Sequence, residues 1–282
     1  MEPQASRTAL STAVARGRHR FFDDHPLVLD DPYALPLVGP VWRIVERRQD
    51  ESLPRDLGQA YRAGIVVRSR YAEDRLEAGG FTQYVILGAG LDSFVWRRPD
   101  LVRGLRVLEV DHPASQQAKR DRAAEVGLPH LDGVTYVPVD LELDTLEERL
   151  TDVGFDWGAP ALFSWLGVTM YLTIPAIEAT LRTVAAAAGG SEVVLTYAPD
   201  PRHLDDLGRR YREIAKVLVA ALGEPSITFL TREDAEAMCG RSGLEVVDHP
   251  DQPDLVRRYF AGRPDGLVPS SAEAVLTART IP

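Results

Sequence analysis

Between residues 83 and 198 five short apolar runs recur, separated by stretches that suit helices, and no other feature of this chain constrains its fold as tightly. The runs are QYVILG (83–88), LRVLEVD (105–111), VTYVPVD (134–140), PALFSWLG (160–167) and SEVVLTYA (191–198). Near-continuous apolar runs of this length suit strands buried on both faces. Residues 113–126, 144–153 and 174–188 suit the helices between them. In the last of these, Ile174, Ile177, Leu181 and Val184 recur at helical spacing while Glu178 and Arg182 face away. Strand alternating with helix implies a doubly wound α/β fold, a parallel sheet with helices on both faces. Residues 61–78 and the amphipathic stretch 202–222 lie outside the rhythm and are placed to roof a site. A helix at 231–241 and strands at 244–249 and 273–280 close the chain. The expected organisation is one domain: a helical cap (1–80), a core (81–200), a lid (201–230) and closing strands (231–282).

Composition narrows the class. A chain of 282 residues, 45% hydrophobic and 26% charged, has the usage of a globular protein and is long enough to bury a core without covalent staples. Cys239 is the only cysteine, so no intrachain disulfide forms and a reducing compartment, the cytoplasm, is the expected setting. Residues 1–24 contain no run resembling a signal peptide, and no window offers the roughly 18 apolar residues a membrane span requires. The formal net charge of −10 repels a phosphate backbone, and the cluster Arg62, Arg68, Arg70 and Arg75 is interrupted by Glu73 and Asp74. No nucleic-acid partner is expected.

The sharpest chemical feature is LGAGLDS (87–93), directly after the first strand. Gly88 and Gly90 allow a tight turn that lets backbone approach a ligand. A turn after the first strand of an open α/β sheet is where ligands bind. A dinucleotide fingerprint would place glycine or alanine where Ser93 stands, so that fingerprint is incomplete. Asp111 ends the second strand about twenty residues on, where a carboxylate can accept both ribose hydroxyl protons. Glu109, on the same strand face, is a candidate to share that role. Asp140 ends the third run, where it can accept from an exocyclic adenine amine while Leu141 offers the ring an apolar surface. Acids at strand ends are often merely solvated, but two of them with a glycine turn on successive strand tips fit an adenosine.

LGAGLDSFVWR, EVDHP and VDLE, with RSRYAED before them, ARGRHRFF and DDPYA near the start and WLGVTMYLT after the fourth strand, resemble the leucine carboxyl methyltransferase family in its broad sense, polyketide O-methyltransferases included. The resemblance implies a seven-stranded, mostly parallel sheet with a reversed last strand, S-adenosyl-L-methionine as cofactor and methyl transfer to oxygen of a small-molecule acceptor. It also implies that Arg68, with Arg70 as second choice, holds the cofactor's carboxylate and that Arg16 assists. Gly88, Ala89 and Gly90 would wrap its amino-acid half, Asp111 its ribose, and Asp140 with Leu141 its adenine. Relatives that modify protein phosphatases have a pattern like EGVLMYL where this chain reads WLGVTMYL, with Leu166 in place of the glutamate, so neither that glutamate's cofactor contact nor a protein C-terminus as substrate carries over to this chain.

A carboxylate acceptor would need no base, whereas a phenol, with a pKa of about 10, would benefit from one. His203 and Tyr171 are the catalytic candidates, His112 and His249 further bases, and Trp165 a core residue before it is a pocket wall. No metal-binding, serine-hydrolase or phosphate-loop motif is present. An NAD-dependent oxidoreductase on a similar fold and a non-catalytic binding module are the alternatives.

Overall fold

The computed structural model describes residues 6–221 and 225–281. Seven strands, β1 (Gln83–Leu87), β2 (Arg106–Asp111), β3 (Val134–Pro138), β4 (Ala161–Trp165), β5 (Glu192–Tyr197), β6 (Leu244–Asp248) and β7 (Ala274–Thr280), form one sheet in the order β3-β2-β1-β4-β5-β7-β6. β1 to β5 pair in parallel, while β7 runs antiparallel to both β5 and β6. The reversed strand expected from the family resemblance is thus present. Each of the seven runs read from the sequence becomes a strand, trimmed by one to three residues.

Before the sheet come α1 (Arg7–Phe22), α2 (Ala34–Val38), α3 (Trp42–Ser52) and α4 (Arg55–Gly79). α4 starts at Arg55, six residues before the expected 61, behind the N-cap Pro54, whose fixed φ suits a helix entrance. The crossovers hold two short helices, α5 (Phe94–Arg97) and α6 (Pro99–Val102), then α7 (Pro113–Glu125), α8 (Leu146–Asp152) and α9 (Ile174–Ala185). After β5 a 3₁₀ turn, Pro201–His203, leads into α10 (Asp206–Ala221), followed by α11 (Arg232–Arg241) and α12 (Gln252–Tyr259). Residue 222, the end of the expected amphipathic stretch, lies outside the described residues. α12 was not anticipated, because its eight residues carry only one buried apolar side chain, Leu255.

Two hydrophobic layers cover the sheet. One packs α8, α9 and α11 against Leu87, Phe163, Trp165 and Leu195; the other packs α4, α5 and α12 against Ile86, Val107, Leu162 and Val194. On α9, Ile177, Leu181 and Val184 are buried as the periodicity requires, but Ile174 in its first turn is exposed. Trp165 is fully buried, a core residue. A third, smaller cluster joins α1, α2 and Leu91 of the glycine turn.

Candidate functional site

Because β1 to β5 run in parallel, their C-terminal ends line one edge of the sheet; β7 runs the other way, so its start comes to the same edge, where Ala274 pairs with Tyr197. The glycine turn is built there. The amides of Gly88 and Ala89 donate to the Val110 carbonyl at 2.8 and 3.1 Å, tying the turn to the end of β2. Gly88 has φ +69°, and a Cβ at this position would overlap the Val168 side chain beyond β4. Glycine is therefore required on two counts: backbone sign and space.

Asp111 reaches into the turn. Its carboxylate accepts from the Gly90 amide at 2.5 Å and from the His112 amide at 2.7 Å. Burial pushes its pKa above the ordinary carboxylate range in spite of those two donors. Glu109 does not share this position. It is 1% exposed and its carboxylate holds the Lys119 ammonium of α7 at 2.6 Å, so its expected role at the ribose is corrected. Strand alternation puts Glu109 and Asp111 on one face, but Glu109 lies one residue pair deeper, where α7 covers the sheet and only a paired charge is tolerated.

Asp140 follows β3 in a tight turn, accepting from the Glu142 amide at 3.0 Å, while its own amide donates to Asp144. Leu141 is half-buried against the core. Beyond β4, Leu166 packs into the α4 layer.

α4 brings Arg68 to the same edge. A Cβ on Gly167 would stand 2.7 Å from both of its terminal nitrogens, so the guanidinium lies over the backbone just past β4. Its Nη1 donates to both carboxylate oxygens of Glu273, at 2.7 and 2.9 Å. Arg70, two residues on, points outward and pairs with Asp74 at 2.7 Å, which removes it as the second choice. Arg16 is buried under the glycine turn: Nε donates to Asp31 at 2.9 Å and Nη2 to the Leu91 carbonyl at 2.5 Å. Arg16, Arg68, Gly88, Ala89, Gly90 and Asp111 thus gather at the strand ends, with Asp140 and Leu141 farther along the same edge beyond β3.

The other candidates divide. His112 caps α7, its Nδ1 accepting from the Ala114 amide at 3.3 Å. His249 is buried between Tyr197 and Glu236, and burial lowers its pKa. His203 is exposed on the turn after β5, and Tyr171 is half-buried on the turn after β4. Within electrostatic reach of Tyr171 is an aromatic group that sequence inspection missed. Tyr61 of α4 stacks on Tyr211 of α10 with centroids 5.7 Å apart. Burial raises both phenol pKa values, with Tyr171 and Glu273 adding to the shift at Tyr211 and Glu273 to that at Tyr61. Glu273, Tyr61 and Tyr211 carry no motif; only the sheet order and the packing of α10 on α4 bring them to the site.

Comparison with known proteins agrees with this fold. A family model for leucine carboxyl methyltransferase matches residues 9–185. YktD of Bacillus subtilis, which carries the name of an S-adenosyl-L-methionine-dependent methyltransferase, is 30% identical over 94% of each chain. A Mycolicibacterium vanbaalenii protein of the same description is 31% identical over 93% of this chain and 90% of its own. Among solved structures, one from Thermobifida fusca described as a methyltransferase superposes with a TM-score of 0.66 at 18% identity, covering 99% and 96% of the two chains. A DUF574 family protein from Streptomyces avermitilis gives 0.63 at 16%, covering 98% of each. At such identities these two speak for the fold.

Proposed function

Because the chain belongs to the leucine carboxyl methyltransferase family and is an S-adenosyl-L-methionine-dependent methyltransferase, we propose that it methylates oxygen, a hydroxyl or carboxyl group, on a small polyketide-like acceptor held between the strand ends and α10. The observation that carries this assignment is the convergence of Arg68, the Gly88–Gly90 turn and Asp111 on one edge of the sheet.

The residues present suit the cofactor. Arg68 spends only Nη1 on Glu273, so its Nη2, over the Gly167 backbone, is the donor that would meet the cofactor's carboxylate while the pair with Glu273 stays in place. Gly88 leaves its side-chain space to Val168, which lets the turn lie close against the segment beyond β4 and keeps its backbone at the strand ends. Asp111 sits half-buried at the tip of β2, each of its oxygens accepting one backbone amide and keeping a lone pair for a hydroxyl, and Asp140 with Leu141 offers one acceptor and an apolar wall. When bound, S-adenosyl-L-methionine supplies a methyl group already activated by its sulfonium. The chain's own work is then alignment and exclusion of water. Arg68 orients the amino-acid half, and Asp111 fixes the ribose. Arg16 props the turn through the Leu91 carbonyl. The tyrosines of α4 and α10 close the acceptor side. An ionised carboxylate acceptor requires no base; for a hydroxyl acceptor His203, exposed after β5, is the candidate to take the proton.

Calorimetric titration with S-adenosylhomocysteine, with NAD and NADP as controls, tests the assignment. Micromolar binding of the first alone is expected. Asp111→Ala and Arg68→Ala should each weaken it about tenfold or more without unfolding the protein. Dinucleotide binding in its place, or unchanged affinity in both variants, would overturn the site.

A further inference from the structure

Three arginines stand on the first turns of α10, and their surroundings differ. Arg209 pairs with Asp206, and Arg210 with Asp56 of α4 at 2.7 Å, both on exposed surface. Among the described residues Arg212 enters no ion pair. Its Nη2 donates to the Ala272 carbonyl at 2.8 Å, and its guanidinium carbon lies 4.9 Å from the centre of the Phe229 ring. Its Nη1 is sealed from solvent with no hydrogen-bond partner. Ala272 adjoins Glu273, but both oxygens of that carboxylate are held on Arg68. The group formed by Arg68, Glu273 and Arg212 therefore carries one surplus positive charge, partly withdrawn from water. Such a charge is costly unless a counterion meets it.

The surroundings say what kind of counterion fits. The backbone of Ile227 and Thr228 is hydrogen-bonded to the Met170 carbonyl, which ties the segment before Phe229 to the turn after β4. Phe229 remains 39% exposed, so part of the ring that stacks on the guanidinium is open to solvent. On the same helix, Tyr211 adds its stack with Tyr61. A flat apolar body carrying one anionic group would cover the open ring and neutralise the guanidinium.

We propose that Arg212 anchors the carboxylate of an aromatic acid that serves as the methyl acceptor, its ring lying against Phe229 and the Tyr61–Tyr211 pair. The proposal rests on the acceptor side lying beneath α10, as assigned above. It narrows the acceptor from a polyketide-like compound at large to an aromatic acid, and it makes Arg212 a specificity residue with no part in holding the cofactor.

The test is a ligand-observed NMR titration of the full chain with benzoate and with benzamide, an uncharged isostere, run with and without saturating S-adenosylhomocysteine. Wild-type protein should bind benzoate at least tenfold more tightly than benzamide. Arg212→Gln should lose that preference while its affinity for S-adenosylhomocysteine stays within twofold. Should that variant not fold, Phe229→Ala, altered at a half-exposed ring, should weaken both probes alike. Equal binding of the two probes to wild type, a preference that survives Arg212→Gln, or an unchanged Phe229→Ala would overturn the anchor. Failure of S-adenosylhomocysteine to bind would instead overturn the methyltransferase site, and the titrations without it would still decide the anchor.

Discussion

Gly88 shows how much of this site is decided by the absence of atoms. Its positive φ costs a residue with a side chain about 1–2 kcal/mol, and overpacking against Val168 adds about 1–3 kcal/mol. Gly88→Ala is therefore expected to lower stability by both amounts and to displace the turn from its bonds to Val110. The double variant Gly88→Ala/Val168→Ala should recover the overpacking part but not the φ part. Urea denaturation of the two variants separates the contributions; equal stability of single and double variants would show that Val168 already yields. Asp111 makes the complementary point: its carboxylate is held by the amides of Gly90 and His112, so the group assigned to the ribose is oriented by the backbone around it.

Between β2 and α7 the chain buries a charge pair, Glu109 with Lys119, each 1% exposed, with Lys119 also 5.6 Å from the centre of the Trp96 ring. Burial raises the Glu109 pKa and the ammonium of Lys119 opposes that shift. The pair holds the helix to the strand whose tip is Asp111. Removing one partner leaves an uncompensated buried charge, so Lys119→Met should cost about 3–5 kcal/mol, whereas Glu109→Leu/Lys119→Met should regain most of it. Denaturation midpoints of the single and double variants decide this, and a double variant as weak as the single would mean that packing rather than charge is what is lost. The same pair explains why a strand pattern that placed two acids on one face could not tell the ligand-facing acid from the structural one.

At the scale of the molecule, Asp31 joins the N-terminal helices to the sheet. The residue is 1% exposed and accepts from Arg16 at 2.9 Å, from Ser93 at 2.7 Å, and from the amides of Tyr33 and Ala34 at 3.1 and 3.0 Å. Burial alone would raise its pKa, but the Arg16 and Arg97 guanidiniums and the Ser93 hydroxyl hold it below the ordinary value. A carboxylate depressed on folding contributes stability that is present above the unfolded value, about 3.8, and is lost as pH falls through the lower folded one. Asp31→Ala should therefore cost about 3–5 kcal/mol near neutral pH, and its penalty should shrink below about pH 4. Guanidinium unfolding from pH 3 to 7 measures this. A penalty independent of pH would assign the loss to packing. Cofactor affinity should fall with it, because Arg16 and Ser93 frame both ends of the Leu91 segment.

The alternation of apolar runs with amphipathic stretches determined the sheet and its helices, because burial on both faces leaves a periodicity that composition alone cannot mimic. Gly88, Gly90 and Asp111 were legible for a similar reason: a tight turn and a strand-tip acid are local requirements, written within a few residues. Glu273, Tyr61, Tyr211, Asp31 and Arg212 were not legible as site residues. Each owes its place to a partner more than fifty residues away or to a strand running backwards. Arg68 and Arg70 stand two residues apart on one helix, and only the packing of α4 turned the first toward Gly167 and the second toward solvent. Local sequence sets which elements form. Which of their polar groups share one space is set by the order of strands and the angle of helices, quantities that exist only once the chain has closed on itself.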